Sequence, residues 1–200
     1  MSGCLCWTRT PSGWAATWKR WPANTENPKQ YEPTGVSSRQ ESASSFRTYS
    51  QSQFNNYFVT AQEQLSQGNY YQAADAFTLA SIYEPDNALC YAGKGHALFA
   101  AGQYVTSALF IIRAIELNPD YLQSNINLEI ITGSRNIIAG KISELEQLLR
   151  KDPASGLQYL MAYVYYRTGQ LTQARQLINA VYQDMPNSRA VIALKIAIDT

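Results

Sequence analysis

The sequence predicts an all-α protein, an α-solenoid of about four helix pairs with a C-terminal closing helix, preceded by a largely disordered N-terminal tail. Two observations predict this architecture. A proline-centred phrase recurs, as "IYEPDNA" at 82–88 and as "IELNPDY" at 115–121, and aliphatic residues become frequent only from about residue 54 onward. Recurrence at an interval of about 34 residues is typical of stacked helix pairs.

Composition limits the kinds of partner. The chain has 200 residues and a formal net charge of +1, and a chain of this length can bury a sizeable core. Residues 1 to 50 hold six Lys and Arg against three Glu, and residues 51 to 200 hold ten against twelve acidic residues. Neither part has the basic excess of a nucleic-acid binder, and no apolar run approaches the roughly 18 residues of a membrane span. We therefore expect a cytoplasmic protein that binds no nucleic acid.

The N-terminal quarter differs in composition from the rest. Residues 22 to 53 are rich in Pro, Ser, Gln, Thr and Asn and offer few aliphatic side chains for a core. Such a segment does not recover the entropy that ordering costs. We expect a mobile linker there, within a disordered tail that covers residues 1 to 50.

All four tryptophans lie within the first 21 residues. Trp14, Trp18 and Trp21 follow the i, i+4, i+7 spacing of one helix face, between Pro11 and Pro22. Two interpretations stay open. The segment is either a short helix whose indole rings dock on the solenoid or on a membrane surface, or a poorly ordered leader too short for a stable helix.

From residue 54 the chain repeats itself. A shift of 34 residues brings Tyr57 onto Tyr91, Gly68 onto Gly102, Tyr70 onto Tyr104 and Pro85 onto Pro119, and the series continues at Pro153 and Pro186. Each interval reads as two helices with a break between them. The expected helix pairs are 54–87, 88–121, 122–154 and 155–187, with a closing helix at 188–200.

The second unit shows the physical basis of the pattern. Gly95 in its first helix leaves room for the second helix to approach, and Gly102 permits the turn between them. The returning helix ends before Pro119, because proline disfavours helix in the residue that precedes it. Its packing face consists of apolar and small residues: Tyr104, Ser107, Ala108, Ile111, Ala114 and Ile115.

The third unit departs from this pattern. Glu129 and Lys141 stand where Gly95 and Ser107 stand one repeat earlier. Two long charged side chains at a close helix crossing are costly unless they pair. We expect either an ion pair between them or a shifted register in which Gly133 ends the first helix early.

These residue types and intervals resemble the tetratricopeptide repeat (TPR) family over about residues 54 to 187. The landmarks are Tyr91, Gly95, Leu98, Tyr104, Ser107, Ile111, Ala114 and Pro119 in the second unit, Tyr57, Ala61, Tyr70, Ala73, Phe77, Ala80 and Pro85 in the first, and Ala162, Tyr165, Leu171, Ala174, Ile178 and Pro186 in the fourth. The resemblance implies a right-handed solenoid whose first helices line a concave groove.

The resemblance also implies where a partner protein binds. It places these residues in the groove: Asn55, Phe58, Gln62, Leu89, Ala92, His96, Phe99, Gln123, Ile126, Ile130, Tyr159, Tyr163, Tyr166 and Arg167. The set is aromatic and amide-rich, and it lacks the Lys, Asn and Arg clamp with which family members hold chaperone tails. Each ring either anchors a partner or fills a seam between helices, and we expect Tyr163 to be an exposed anchor.

Two functions follow from this surface. We expect a non-catalytic scaffold that holds a peptide or helix of a partner protein in the groove. The alternative is a structural subunit that self-assembles through its last helix. In that helix Val191, Ile192, Leu194, Ile196 and Ile198 leave little polar surface, so we expect a second copy or the tryptophan segment to cover it.

We expect no catalytic, cofactor or metal site. His96 is the only histidine, and three cysteines do not form a disulfide framework. Cys4 and Cys6 could bind a metal ion or carry an acyl group, but no histidine lies within 80 residues and no second cysteine pair exists, so we expect an incidental exposed pair. The phrase "GKGHAL" at 93–98 lacks the third glycine of a dinucleotide motif and lies in a helical segment.

Overall fold

The structure, a computed structural model, describes residues 9–10, 13–14, 35–124, 126–128 and 135–200. The chain divides into two compact units, Met1–Glu41 and Ser42–Thr200. In the first unit, strands β1 (Arg9–Thr10) and β2 (Gly13–Trp14) pair antiparallel, with Arg9 opposite Trp14.

The tryptophan segment is therefore not helical at its first member. Trp14 belongs to β2, where cross-strand pairing takes the place of a helical turn. The interpretation of one helix face through Trp14 is wrong at that residue. Trp18 and Trp21 lie outside the described residues, as does the rest of the predicted tail from 15 to 34.

Eight α-helices and one 3-10 helix make up the rest of the described chain. They are α1 (Gly35–Ser66), α2 (Tyr70–Tyr83), α3 (Ala88–Ala100), α4 (Tyr104–Leu117), the 3-10 helix (Pro119–Gln123), α5 (Arg135–Lys151), α6 (Ser155–Arg167), α7 (Leu171–Asp184) and α8 (Arg189–Asp199). The predicted helical repeat fold is confirmed.

Helix α1 begins earlier than the composition suggested. It starts at Gly35 and runs for 32 residues, so residues 35–50, expected within the disordered tail, are helical in the structure. Phe54, Ala61 and Leu65 are buried in the part that packs on the following helices. Since no glycine or proline interrupts residues 36–67, the helix can extend from this packed part at little cost per residue.

The second helix pair is built around Gly95, as predicted. A Cβ on Gly95 would lie 2.7 Å from Cδ1 of Ile111 and 3.3 Å from its backbone nitrogen. Ser107, fully buried, donates from Oγ to the Gly95 carbonyl at 2.8 Å. Gly102 has a φ of +80° in the turn, and the six residues predicted for the packing face of α4 are all buried.

A 3-10 helix spans the boundary between the predicted second and third units. Asn118 ends α4 and accepts a hydrogen bond at Oδ1 from the Asp120 backbone at 3.1 Å. Glu129 and Gly133 lie outside the described residues, so their predicted roles are not described. Lys141 forms an ion pair with Glu144 on its own helix at 3.0 Å.

The largest core joins the second and fourth helix pairs. Helix α4 packs against α6 and α8 as well as against α3. Ile111 and Ile115 of α4, Leu160 of α6 and Leu194 of α8 belong to one buried cluster. This packing sets the 3-10 helix beside α8 and thereby positions the candidate site.

Candidate protein-docking cleft

A buried polar cluster links α3, α6 and the 3-10 helix. Nε2 of His96 lies 2.8 Å from the Tyr163 hydroxyl and 3.3 Å from the Tyr121 hydroxyl, and the two hydroxyls are 3.2 Å apart. Nε of Arg167 donates to the Tyr163 hydroxyl at 3.2 Å. One consistent arrangement has Tyr163 accepting from Arg167 and donating to His96, which then carries its proton on Nδ1.

Arg167 holds the chain where the third unit begins. Its terminal nitrogens donate to the carbonyls of Tyr121 at 2.9 Å, Leu122 at 3.2 Å and Ser124 at 2.7 Å. Its guanidinium carbon also lies 5.1 Å from the Tyr121 ring centre, within cation–π range. The planar fork thus reaches three backbone carbonyls at once and ties this part of the chain to α6.

The cluster is neutral apart from Arg167. Burial, with the positive charge of Arg167 as a second cause, lowers the pKa of His96 to about 3. Burial likewise raises the pKa of the Cys90 thiol to about 11. A histidine of such low basicity and a thiol that is seldom ionised are poorly suited to act as a base and nucleophile at neutral pH.

An open cleft of about 860 Å³ lies between the 3-10 helix and α8. Its lining residues are Pro119, Asp120, Leu122, Gln123, Tyr166, Arg189, Ile192, Ala193, Ile196, Ala197 and Thr200. Tyr166 connects this cleft to the polar cluster, because its hydroxyl donates to the Leu122 carbonyl at 3.1 Å and its ring centre lies 5.5 Å from the Arg167 guanidinium. The C-terminal cleft therefore has one wall that is held in place by hydrogen bonds.

Helix α8 presents two different faces. Val191, Leu194 and Ile198 are buried in the core, whereas Ile192 is 38% exposed and Ile196 is 62% exposed. Ile192 and Ile196 stand one turn apart and form an apolar ridge along the C-terminal cleft. Coverage of this ridge by a second copy or by the tryptophan segment stays a prediction.

Two charged residues line the C-terminal cleft, Asp120 and Arg189. Both are exposed, and neither belongs to an ion pair within the part of the chain that the structure describes. The charged pair Lys195 and Asp199 of α8 is already joined at 3.2 Å. The cleft thus combines apolar side chains with one charge of each sign that has no ion-pair partner among the described residues.

The predicted groove residues separate by exposure. Asn55, Gln62, Leu89 and Gln123 are exposed; Phe58, Ile126, Tyr166 and Arg167 are half-buried; and Ala92, His96, Phe99, Tyr159 and Tyr163 are buried. Ile130 lies outside the described residues. The C-terminal cleft brings together only Gln123 and Tyr166 of this set. A role of the set in partner binding stays a prediction.

The expectation of an exposed Tyr163 is wrong. Its side chain is 1% exposed, and its ring stacks on His96 with the centres 6.0 Å apart. Tyr159 is buried as well, and its hydroxyl donates to the Ala190 carbonyl at 3.3 Å. Both rings fill seams because α4 and α8 close over α6, which is the alternative that the spacing had left open.

Sequence reasoning missed two parts of the site. The 3-10 helix lies at the boundary of two predicted units, and no local residue type indicated it there. The spacing of Ile192 and Ile196 was visible in the sequence, but which side of α8 faces the core was not. Asp120 and Arg189 are 69 positions apart and became neighbours of one cleft only through the packing of α8.

Residues 58–121 and 142–189 match the model of the tetratricopeptide repeat family. These stretches cover more than half of the chain, which therefore belongs to that family. The match omits residues 122–141, a stretch that begins within the 3-10 helix. No curated protein matches the chain. Within the described part, no helix combines the length and apolar character needed to cross a membrane.

Membership of the family has a general functional meaning. Tetratricopeptide repeats generally mediate protein–protein interaction and typically serve as non-enzymatic scaffolds. The partner of this chain is accordingly expected among proteins.

Proposed function

We propose that the protein is a non-catalytic scaffold that receives an apolar segment of a partner protein in the C-terminal cleft. The observation that supports this most directly is the cleft itself, about 860 Å³ between the 3-10 helix and α8, with the Ile192 and Ile196 ridge along it. Removing such a ridge from water favours association by about 25 cal/mol per Å² of apolar area.

The cleft is suited to binding because one wall is already organised. Arg167 and Tyr166 hold the 3-10 helix through its carbonyls before any partner arrives. A surface ordered in advance loses less entropy on binding than a mobile one. The exposed and half-buried members of the predicted groove that lie outside the cleft, Asn55, Phe58, Gln62, Ile126 and Arg167, are proposed as further partner contacts.

Cross-linking from inside the cleft tests this function. A photoreactive amino acid at Gln123, which is exposed and lines the cleft, is expected to form adducts with a specific partner protein in cells. Ile196→Asp should abolish those adducts, because a carboxylate on the ridge cannot be desolvated without a partner charge. Leu109→Asp on α4 is the matched control, since Leu109 is 63% exposed and Ile196 is 62% exposed.

The outcomes separate clearly. Adducts that disappear in Ile196→Asp and persist in Leu109→Asp support the C-terminal cleft as the docking site. Adducts that survive Ile196→Asp, or that vanish equally in both variants, place the docking surface elsewhere.

A second candidate function is self-assembly through the same ridge. It is favoured by the exposure of Ile192 and Ile196, two large apolar residues one turn apart on α8. Light scattering over a range of concentrations decides: a dimer that Ile196→Asp dissociates and Leu109→Asp leaves intact supports it. A monomer at all concentrations rules it out.

A further inference from the structure

We infer that the C-terminal cleft takes an amphipathic α-helix of the partner protein, one that carries a basic residue opposite Asp120 and an acidic residue opposite Arg189. This inference rests on the proposed function and specifies the chemistry of the segment that binds. Three features of the cleft lead to it: the state of the backbone groups in its walls, the shape of α8, and the two unpaired charges.

The walls offer few backbone partners to an extended peptide. An extended segment needs main-chain donors and acceptors beside it, as when a peptide adds to a sheet edge. In the 3-10 wall, the carbonyls of Tyr121, Leu122 and Ser124 already accept hydrogen bonds from Arg167 and Tyr166. The other wall is α8, in the middle of which the backbone groups are hydrogen-bonded within the helix. An α-helix forms its backbone hydrogen bonds internally, so a helical occupant needs no backbone partners from the walls.

The shape of α8 favours a helical occupant as well. Beside the ridge of Ile192 and Ile196, Ala193 and Ala197 form a parallel row of small, half-buried residues that also line the cleft. A row of large side chains next to a row of small ones is the surface into which the ridges of another helix pack. The 11 residues of α8 provide a wall of about 16 Å, or three helical turns.

Charge complementarity specifies the occupant further. Asp120 and Arg189 are the charged residues of the cleft lining, and each lacks an ion-pair partner among the described residues. The other lining side chains are apolar or uncharged. Opposite charges on the partner would fix its register and direction more than its affinity. The segment is therefore apolar on one face and carries one charge of each sign at the edges of that face.

Peptide selection on the full-length protein tests the inference. A displayed library of peptides of about 16 residues, long enough to span α8, is selected on the wild type and counter-selected on Ile196→Asp. Enriched peptides are expected to repeat apolar residues at i, i+3 or i+4, and i+7, with one basic and one acidic position flanking them. Substituting proline at a central polar position should weaken binding about 100-fold, and alanine at that position should not.

Charge reversal in the protein supplies the second measurement. Asp120→Lys should weaken the selected peptide about fivefold or more, and replacing the peptide's basic residue with Glu should restore binding to that variant. Arg189→Glu should respond in the same way to the opposite exchange. Asp86→Lys, an exposed acidic residue outside the cleft, is the matched control and should leave binding unchanged.

The results distinguish this inference from the proposed function. Peptides that bind the wild type but not Ile196→Asp, yet tolerate proline or ignore both charge reversals, overturn the helical and charged occupant and leave the docking site standing. Peptides that bind Ile196→Asp equally well, or a selection that enriches nothing over that variant, count against the cleft itself.

Discussion

Two contacts between elements are held by different means: the contact of α3 with α4, and the contact of α6 with the chain from the 3-10 helix to Ser124. In the first, α3 and α4 meet at Gly95, where the missing side chain lets Ile111 approach and Ser107 bond to the Gly95 carbonyl. At the boundary between the second and third units, Arg167 donates to three backbone acceptors, the carbonyls of Tyr121, Leu122 and Ser124. The first contact depends chiefly on close packing, and the second on hydrogen bonds that one side chain donates to the backbone.

The largest effect is expected from filling the contact at Gly95. Gly95→Leu should lower the free energy of unfolding by about 3 kcal/mol, because the added atoms overlap Ile111. Denaturant unfolding measures the loss. Gly140→Leu on α5 is the control, since a Cβ there has no atom within 4 Å, and it should leave stability unchanged or raise it by about 1 kcal/mol. Equal losses in the two variants would show that space at Gly95 is not what matters.

Removing the hydrogen bonds of Arg167 is expected to lower the free energy of unfolding by a smaller but measurable amount. Arg167→Met should cost about 2 to 3 kcal/mol, because the Tyr121, Leu122 and Ser124 carbonyls each lose the hydrogen bond from the guanidinium and the contact with the Tyr121 ring is lost. Arg167→Lys should fall between, since an ammonium keeps the charge but lacks the planar fork. Thermal and denaturant unfolding compare both with Arg150→Met at an exposed position of α5. If Arg167→Met unfolds like the wild type, the hydrogen bonds of Arg167 contribute nothing to stability.

The buried polar cluster also predicts a dependence on pH. His96 is the only histidine, and its pKa in the folded protein is lowered to about 3 against an ordinary value of 6.5. Below pH 6.5 the imidazole of His96 is protonated in the unfolded chain but stays neutral in the folded chain. The free energy of unfolding therefore falls as the pH falls toward 3. Between pH 7 and 5 we expect a loss of about 2 kcal/mol.

The control for this prediction is His96→Gln, which removes the only group with an ordinary pKa near 6.5. It should flatten the stability profile between pH 7 and 5, although it lowers stability overall by disturbing the hydrogen bonds with Tyr121 and Tyr163. A profile as steep as that of the wild type would assign the dependence to other groups.

The smallest effect is expected at the hydrogen bond beside Gly95. Ser107→Ala should cost about 1 kcal/mol, since it removes one buried hydrogen bond without opening much space. Ser143→Ala, at an exposed position of α5, should be neutral. Denaturant midpoints measure both. A loss of stability in Ser107→Ala as large as that in Arg167→Met would contradict the expectation that the three Arg167 hydrogen bonds contribute more than the single Ser107 hydrogen bond.

Local features of the chain were predictable from sequence. Helix ends at Asn118, the turn at Gly102 and the close contact at Gly95 follow from backbone preferences that act within a few residues. The start of α1 was missed for a related reason: composition reports what a segment can bury, but residues 35–50 extend a helix that is stabilised further along the chain.

The repeat period and the helix pairs followed from the chain alone, because they depend on residue types at fixed short intervals. The burial of Tyr163, the clamp of Arg167 and the C-terminal cleft arise from the packing of α4 against α6 and α8, which brings His96 beside Tyr163 across 67 residues and Arg167 beside Tyr121 across 46. The repeat pattern predicts which face of its own helix a residue occupies. Whether that face is exposed or buried depends on which distant helix packs against it. The spacing of residues within one helix does not determine this packing.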